Sequence, residues 1–546
     1  MAGSRKYLWM SWFAGAVLVA LVVIVIAAAI AMRRAEPFLR AQLIAALSEH
    51  IHARVELDGF RISLAHGLEA EGTGLRIWPP AEAAGVEIAG SGSGNPLIRL
   101  DEFRFHAPLR FTRGKPIRIR TVQLKGLRID LPPKSGFEHT AGKGPAGNQT
   151  KWVGFSVGSV ECTDAEIVLE TSKPGKLPTR FEIARIKVDD ISPAGVMNFE
   201  ADFTVPKPRG QAHSSGTFGP WQVSDPGESP VSGDYRLKQA DLSSFKGIAG
   251  LLSSTGHYQG TLRDLRVDGE TETPDFRLTH FGNSLPLHTR FQARVDGTDG
   301  DTWLDRVDAT LNHSPIVAEG QVVRAISDES PHPPGHDIAL NIDISGARIE
   351  DFLLLAGKST TPLLTGEIAV KAKLHIPPGS EPVHERLTLE GTFHLADARF
   401  SSDKIRDRIR ELSVRGQGRP GEVKSTDAGS IQSEMTGNFQ MAKAVISLPD
   451  LVYSVPGAQI QLQGTYGVEG STLNFSGTAR TQATVSQMVG GWKGLLLKPA
   501  DRFFKKDGAG TEVPIHIGGT RENPDFGIEF GKIKISTQEK PGTTPQ

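Results

Sequence analysis

The stretch Ile338-Ala-Leu-Asn-Ile-Asp-Ile344 decides the fold, together with Ile368-Ala-Val-Lys-Ala-Lys-Leu-His-Ile376. In both stretches every second residue is apolar, and the residues between them are polar or alanine. Successive side chains of a β-strand point to opposite faces of the sheet, so this alternation predicts strands with one apolar and one solvated face. Pro377 ends the second strand, because proline cannot donate to a sheet ladder.

The same alternation recurs from Val55 to the C-terminal region. Strands average five to six residues, and the 60 glycines and 35 prolines of this 546-residue chain supply many turns. These features predict about 25 to 35 strands and a mainly β fold. Further examples of the alternation are Val55 with Leu57, Ile98 with Leu100, Ile117 with Ile119, Ile460 with Leu462, Leu473 with Phe475, Val513 with Ile515 and Ile517, and Phe526 with Ile528.

The composition excludes several classes of protein. Lys and Arg number 61 against 62 Asp and Glu, so the net charge is -1 and no basic field favours nucleic acid. The single cysteine, Cys162, excludes a disulfide framework and a multi-cysteine metal site. We therefore expect no nucleic-acid partner, and a chain whose apolar residues are concentrated on one face of its strands.

An apolar block runs from Leu8 to Met32, interrupted only by Ser11 and Gly15. As a helix it would extend about 37 Å, enough to cross a hydrocarbon core of about 30 Å. This predicts a transmembrane helix over 8–32 behind a cytoplasmic tail, 1–7. The alternative is a cleaved signal peptide, although apolar cores of signal peptides usually have 7 to 15 residues. Arginines on both sides leave the orientation undecided by charge.

An amphipathic helix is predicted over 33–52, where Leu39, Leu43, Leu47 and Ile51 recur at a spacing of four. We expect this helix to cap the end of the sheet. Further helices are predicted over 242–252 with Asp241 as N-cap, over 349–356, over 403–412 and over 485–497. Loops are predicted at 132–150, 206–233, 327–335 and 416–429. The resulting domain boundaries are 53–205 and 234–537 for two β portions, with a disordered tail at 538–546.

No motif predicts an enzyme. Gly357-Lys358-Ser359 resembles the end of a phosphate-binding loop, but Phe352 stands where that loop requires its first glycine. The carboxylates around Asp296 to Asp301 do not have EF-hand spacing, and the histidines do not have the spacing of a metal site. We therefore expect no catalytic residue, no metal and no cofactor.

Three segments resemble a known family. The first is Ala53 to Leu68, which contains Val55-x-Leu-x-x-Phe-x-Ile-Ser-Leu64 behind the predicted anchor. The second is Leu389-Glu-Gly-Thr-Phe-His-Leu-Ala-Asp-Ala-Arg-Phe400. The third is Val513-Pro-Ile-His-Ile-Gly-Gly-Thr520 followed by Asn523-Pro-Asp-Phe526. In this order the segments resemble AsmA-like proteins of Gram-negative envelopes, and the resemblance extends over almost the whole chain after the anchor.

The resemblance implies an elongated, curled antiparallel β-sheet that forms an open groove, as in chorein-type bridge proteins. It also implies phospholipid as ligand, an inner-membrane anchor with the bulk of the chain in the periplasm, and lipid transport towards the outer membrane or a partner protein there. Candidate groove residues are the apolar positions of the alternating strands. They are Val55, Leu57, Ile117, Ile119, Ile338, Leu340, Ile342, Ile344, Ile368, Val370, Leu374, Val513, Ile515 and Ile517.

Two alternatives stay open on the sequence alone. The apolar faces would also suit closed sandwich cores, in which case the protein is a non-enzymatic scaffold for outer-membrane protein assembly. Separately, the region around 485–506 has an apolar and aromatic character typical of a membrane-interface segment, but it also suits a helix packed on the last strands. The candidate interface residues are Trp492, Leu495, Leu496, Phe503 and Phe504.

Overall fold

The computed structural model describes residues 54–63, 68–78, 96–107, 117–131, 155–169 and, with short gaps, 179–489 and 510–536. It also describes residue 501 and most positions between 36 and 48. The predicted transmembrane helix at 8–32 and the predicted loops at 132–150 and 327–335 lie outside the described residues. In the part of the chain that is described, every helix is too short or too polar to span a membrane.

The chain divides into two compact units, Met1–Arg236 and Leu237–Gln546, and the boundary falls within one strand. The protein is mainly β with few helices, as expected, and the sheet curls without closing on itself. Its described strands number 25, the lower end of the predicted range.

Unit 1 is a ladder in which each strand pairs with the next one along the chain. One pair departs from the expected antiparallel arrangement, because β4 and β5 run parallel. A parallel pair requires a connection that returns across the sheet, which alternation of residues does not reveal. The strands are β1 Val55–Ser63, β2 Leu68–Ile77, β3 Ile98–Ala107, β4 Ile117–Leu131, β5 Phe155–Leu169, β6 Thr179–Asp189, β7 Met197–Pro206 and β8 Arg209–Phe218.

Strand β9, Pro230–Asp241, contains the boundary between the units. The predicted loop over 206–233 is wrong for 209–218, which forms β8. The inward positions of β8 are Gly210, Ala212, Ser214 and Gly216, and their small side chains leave no large apolar alternation in the sequence. Backbone pairing with β7, which carries Phe199 and Phe203, makes this segment a strand despite its polar composition.

Unit 2 is an antiparallel ladder of consecutive strands from β11 onward, with β10 paired to β12. Its strands are β10 Ile248–Ala249, β11 Leu251–Thr261, β12 Leu265–Leu278, β13 Leu285–Val295, β14 Thr302–Leu311, β15 Ser314–Arg324, β16 His336–Arg348, β17 Leu364–Ile376, β18 Thr388–Phe400, β19 Glu434–Ala442, β20 Val445–Val455, β21 Ala458–Gly467, β22 Thr472–Thr481, β23 Thr511–Gly519, β24 Pro524–Phe530 and β25 Ile533–Ser536.

Among the described residues of unit 2, four α-helices with given bounds interrupt the strands: α1 Ile349–Leu355, α2 Val383–Arg386, α3 Asp403–Gly416 and α4 Val485–Val489. The first, third and fourth occur where helices were predicted. The predicted helix over 242–252 is wrong. Asp241 does accept a hydrogen bond from the Ser243 backbone N–H, but it caps a single 3₁₀ turn, Leu242–Ser244. Gly247 and Gly250 follow with φ of 98° and 138°, values that no right-handed helix contains.

The N-terminal helix, by which we mean the described positions between 36 and 48, packs on unit 1. Leu43 and Ile44 contact the core cluster of Leu57, Leu100 and Phe103. Arg40 Nε donates to the Leu57 carbonyl oxygen at 2.9 Å. The helix therefore covers the apolar side of the first strands of this unit.

Candidate functional site

The apolar face of unit 2 is a continuous surface built by strand register. Directly opposed residues of neighbouring strands lie about 5 Å apart, so apolar positions that share a register line form an unbroken row. No polar side chain interrupts this row over eight strands, β15 to β22. It runs from Gly320 through Leu340, Leu374, Leu389, Met441, Ile446 and Tyr466 to Leu473.

The opposite face of unit 2 is polar and solvated. The register line next to the apolar row runs through Glu319, Asn341, Lys373, Glu390 and Gln440. Ion pairs lie on this face, such as Arg306 with Asp308 of the same strand, β14, at 2.7 Å. The hydrogen bond from Arg306 lowers the pKa of Asp308. One face of the sheet can therefore contact apolar groups, and the other can form hydrogen bonds and ion pairs.

Helices cover part of the apolar face, which we call the covered zone. Its buried core contains Ile344, Ile368, Leu395 and Tyr453, between 2% and 8% exposed. The residues packed against this core from the helices are Ile349 and Phe352 of α1 and Ile409 and Leu412 of α3. This zone is a conventional hydrophobic core.

Polar contacts fix both covering helices in place. Asp351 of α1 is 2% exposed. It accepts hydrogen bonds from Asn312 Nδ2 and Ser314 Oγ, each at 2.7 Å, at the β14–β15 turn. In α3, Ser413 Oγ donates to the Pro456 carbonyl oxygen at 2.7 Å, and Arg415 reaches the Met488 carbonyl oxygen at 3.0 Å. Each helix is thus tied to the sheet or to a neighbouring helix.

The remainder of the face lies beyond the helices, and we call it the open zone: Ile338, Leu340, Leu374, Leu389 and Met441. All five side chains are partly exposed. A pocket of about 690 Å³ lies against the same strands. Its lining includes Leu340, Leu374, Leu389 and Met441, and also Asn341, Lys373, Glu390 and Gln440 of the polar register line. This volume falls within the range of small-molecule and cofactor sites.

Unit 1 has an apolar face of its own. One row passes through Phe105, Val122, Val160, Val188 and Phe199 of β3 to β7. Cys162 lies in the adjacent row, and burial raises the pKa of its thiol, which makes it a small apolar side chain rather than a reactive one.

The predicted groove residues fall into three groups. Val55, Leu57 and Ile119 of unit 1 are buried, between 2% and 6% exposed. Ile344 and Ile368 in the covered zone are also buried, at 8% and 7%. Ile338, Leu340, Ile342, Val370, Leu374, Val513, Ile515 and Ile517 are partly exposed on the apolar face of unit 2. The backbone of Ile117 pairs with Phe155, but its side chain lies outside the described residues.

Several residues of the apolar row were missing from the predicted set. Met441 and Tyr466 belong to strands whose alternation includes glycine, as in Met435, Gly437, Phe439 and Met441. In the strand of Ile446, Pro449 and Asp450 interrupt the alternation. The sequence feature that could have identified these residues is the period-two alternation of apolar positions. The five predicted membrane-interface residues, Trp492 to Phe504, lie outside the described residues. Over the described ranges, His, Cys, Asp and Glu form no group of three or more that suits a metal ion.

In comparisons with known proteins, the chain matches no protein-family model, no curated protein and no solved structure.

Proposed function

We propose that the protein binds phospholipid acyl chains on the apolar face of unit 2 and takes part in lipid transport from the inner to the outer membrane. In this proposal residues 8–32 anchor the chain in the inner membrane and the remainder lies in the periplasm. The observation that supports it most is the unbroken apolar row across β15 to β22, part of which is not covered by any described helix.

The physics of acyl chains suits such a surface. Each CH₂ group removed from water gains about 0.8 kcal/mol. A continuous row lets an acyl chain move from strand to strand without crossing a polar barrier. The open zone offers this contact, whereas the polar face offers hydrogen bonds and ion pairs. Binding is therefore expected to depend on which face of a strand a residue occupies.

Photocrosslinking in cells tests the proposal. Leu340 replaced by p-benzoylphenylalanine places the reactive group in the open zone, and Asn341 replaced in the same way places it on the polar face of the same strand. Cells are labelled with ³²P-phosphate, irradiated, and the purified full chain is analysed by gel electrophoresis. We expect a phospholipid adduct at position 340 and not at position 341.

A third position makes the result specific. Leu395, in the covered zone, is 2% exposed and should give little adduct because α1 and α3 cover that zone. Absence of label at position 340, or equal label at positions 340 and 341, would contradict acyl-chain binding on this face.

The covered zone favours a second candidate function. Since α1 and α3 fill part of the face as a conventional core, the protein could act as a non-enzymatic scaffold for outer-membrane protein assembly. The same experiment separates the two functions, because a scaffold should crosslink to protein rather than to phospholipid at position 340.

A further inference from the structure

Three buried N–H donors lie together on the polar face of unit 1 and make no hydrogen bond, although Arg76 Nε lies 3.7 Å from Glu56 Oε2. They are Arg76 Nε, Trp78 Nε1 and Arg99 Nε, and they make up three of the four buried side-chain polar atoms without a hydrogen-bond partner in the described part of the chain. Buried polar groups are nearly always hydrogen-bonded, so unsatisfied ones suggest a ligand or ion. Three at one place suggest a site for a group rich in acceptors.

Strand register brings these donors together. Arg76 of β2 is directly opposite Arg99 of β3, and Arg99 is directly opposite Arg128 of β4. Trp78 follows Arg76 by two residues, which places both on the same face. The Arg54 guanidinium lies 5.6 Å from the centroid of the Trp78 ring. The result is a row of three arginines beside an indole N–H.

The charges around this row leave one cation in excess, because Arg54 shares Glu56 with Arg76 and Arg180 shares Glu166 with Arg128. With Arg99, five arginines then stand against the four carboxylates Glu56, Asp58, Asp130 and Glu166. Arg76 forms ion pairs with Glu56 and Asp58. Arg128 pairs with Asp130 at 3.0 Å and with Glu166 at 2.8 Å. Within the described ranges, Arg99 between them has no carboxylate partner. Placing like charges side by side costs free energy, which an anion between them would offset.

We propose that Arg76, Trp78 and Arg99 form a binding site for a phosphate group, with Arg99 as its principal cation. Guanidinium N–H groups match tetrahedral oxyanions well, and charge-assisted hydrogen bonds of this kind are about twice as strong as neutral ones. The indole N–H is a donor only, so it too requires an acceptor. The site lies on the polar face and does not depend on acyl-chain binding.

Isothermal titration calorimetry on the full chain in a nonionic detergent tests the site with two probes. Inorganic phosphate represents the free ion, and glycerophosphoglycerol represents the head group of phosphatidylglycerol without its acyl chains. Tighter binding of one probe identifies the source of the phosphate, and equal binding shows that the phosphate group alone is recognised. We expect saturable binding of at least one of the two.

Three variants make the test specific. Arg99→Gln is expected to weaken binding by about tenfold or more because it removes the uncompensated charge. Trp78→Phe keeps the ring but removes Nε1–H and should weaken binding by about threefold. Arg104→Gln is the control: Arg104 lies on the same strand and face but pairs with Glu71 at 2.9 Å, so binding should be unchanged.

Circular dichroism establishes that each variant is folded. The site is overturned if neither probe binds, if Arg99→Gln binds like the wild type, or if Arg104→Gln weakens binding as much as Arg99→Gln. These outcomes leave the acyl-chain proposal untouched, since that proposal is read out by crosslinking at position 340.

Discussion

At the scale of single residues, Tyr453 shows what the covered zone imposes on a polar group. It is 7% exposed and makes an edge-to-face contact with Phe400 at 6.2 Å between ring centroids. Burial raises the pKa of Tyr453, and nearby Ser433 offsets this only in part. Ser433 Oγ donates to the Ala398 carbonyl oxygen, and the Tyr453 hydroxyl has no hydrogen bond of normal geometry within the described structure.

We therefore expect Tyr453→Phe to be at least as stable as the wild type at pH 7, with a gain of about 1 kcal/mol from removing an unsatisfied hydroxyl. The pH dependence gives a second readout. Because the pKa of Tyr453 is raised in the folded state, the neutral phenol contributes fully to the free energy of unfolding below the ordinary tyrosine pKa of about 10. This contribution is lost as the pH rises through the folded-state pKa. Phenylalanine has no hydroxyl to ionise, so the Tyr453→Phe variant does not lose stability in this way as the pH rises.

Urea unfolding followed by circular dichroism at pH 7, 9 and 10.5 measures both effects. The advantage of the variant should grow above pH 9. Greater stability of the wild type, or a difference that does not change with pH, would contradict the environment described for this hydroxyl.

At the scale of secondary-structure elements, α1 and α3 divide the apolar face of unit 2 into the covered zone and the open zone, which contribute differently to stability. Leu395 is 2% exposed in the covered zone, whereas Leu340 is partly exposed in the open zone. Leu395→Ala leaves a cavity and should cost about 3 kcal/mol of unfolding free energy. Leu340→Ala should cost about 1 kcal/mol, because less surface is removed from contact.

Chemical denaturation of both variants with matched circular dichroism signals measures this difference. Similar costs for the two substitutions would mean that the open zone is packed as tightly as the covered zone, which would weaken the case for ligand binding there.

The elements that the sequence did not predict have identifiable physical causes. The segment Leu412-Ser-Val-Arg-Gly416 has the pattern of a strand, because Leu412 and Val414 alternate with polar residues. It continues α3 instead, since Leu412 and Ile409 share the covered side of the helix and Arg415 pairs with Glu411 one turn earlier. Alternation over five residues is too short to distinguish the two periods.

The strands of β16 and β17, by contrast, follow the prediction closely because large apolar residues occupy nearly every inward position. What the sequence could not provide is register. The apolar row and the row of Arg76, Arg99 and Arg128 each join residues from separate strands, and a one-residue slip of any strand would exchange its faces. Which apolar positions are covered likewise depends on where the helices pack.

At the scale of the whole molecule, each unit carries its own buried cluster. Leu57, Leu100 and Phe103 form the cluster of unit 1, and the covered zone forms that of unit 2. Leu57 is 2% exposed, so Leu57→Ala should cost about 3 kcal/mol. The loss of protection should appear first in the strands of unit 1, because local opening follows local contacts.

Hydrogen exchange measured by mass spectrometry on the full chain tests this, with Leu395→Ala as the reciprocal variant. We expect faster exchange first in β1 to β4 for Leu57→Ala and first in β16 to β21 for Leu395→Ala. Uniform acceleration over both units in either variant would show that the clusters do not stabilise their units separately.

The ladder of unit 2 also has a consequence for how its size is set. From β13 to β25 the described strands pair only with their sequence neighbours. Removing two consecutive strands of this range would therefore leave the remaining strands antiparallel and the rows in register. Each such pair accounts for about 10 Å of surface at 4.8 Å per strand. Insertion or deletion of one hairpin would therefore change the length of the apolar surface by a fixed step and would leave its apolar character unchanged.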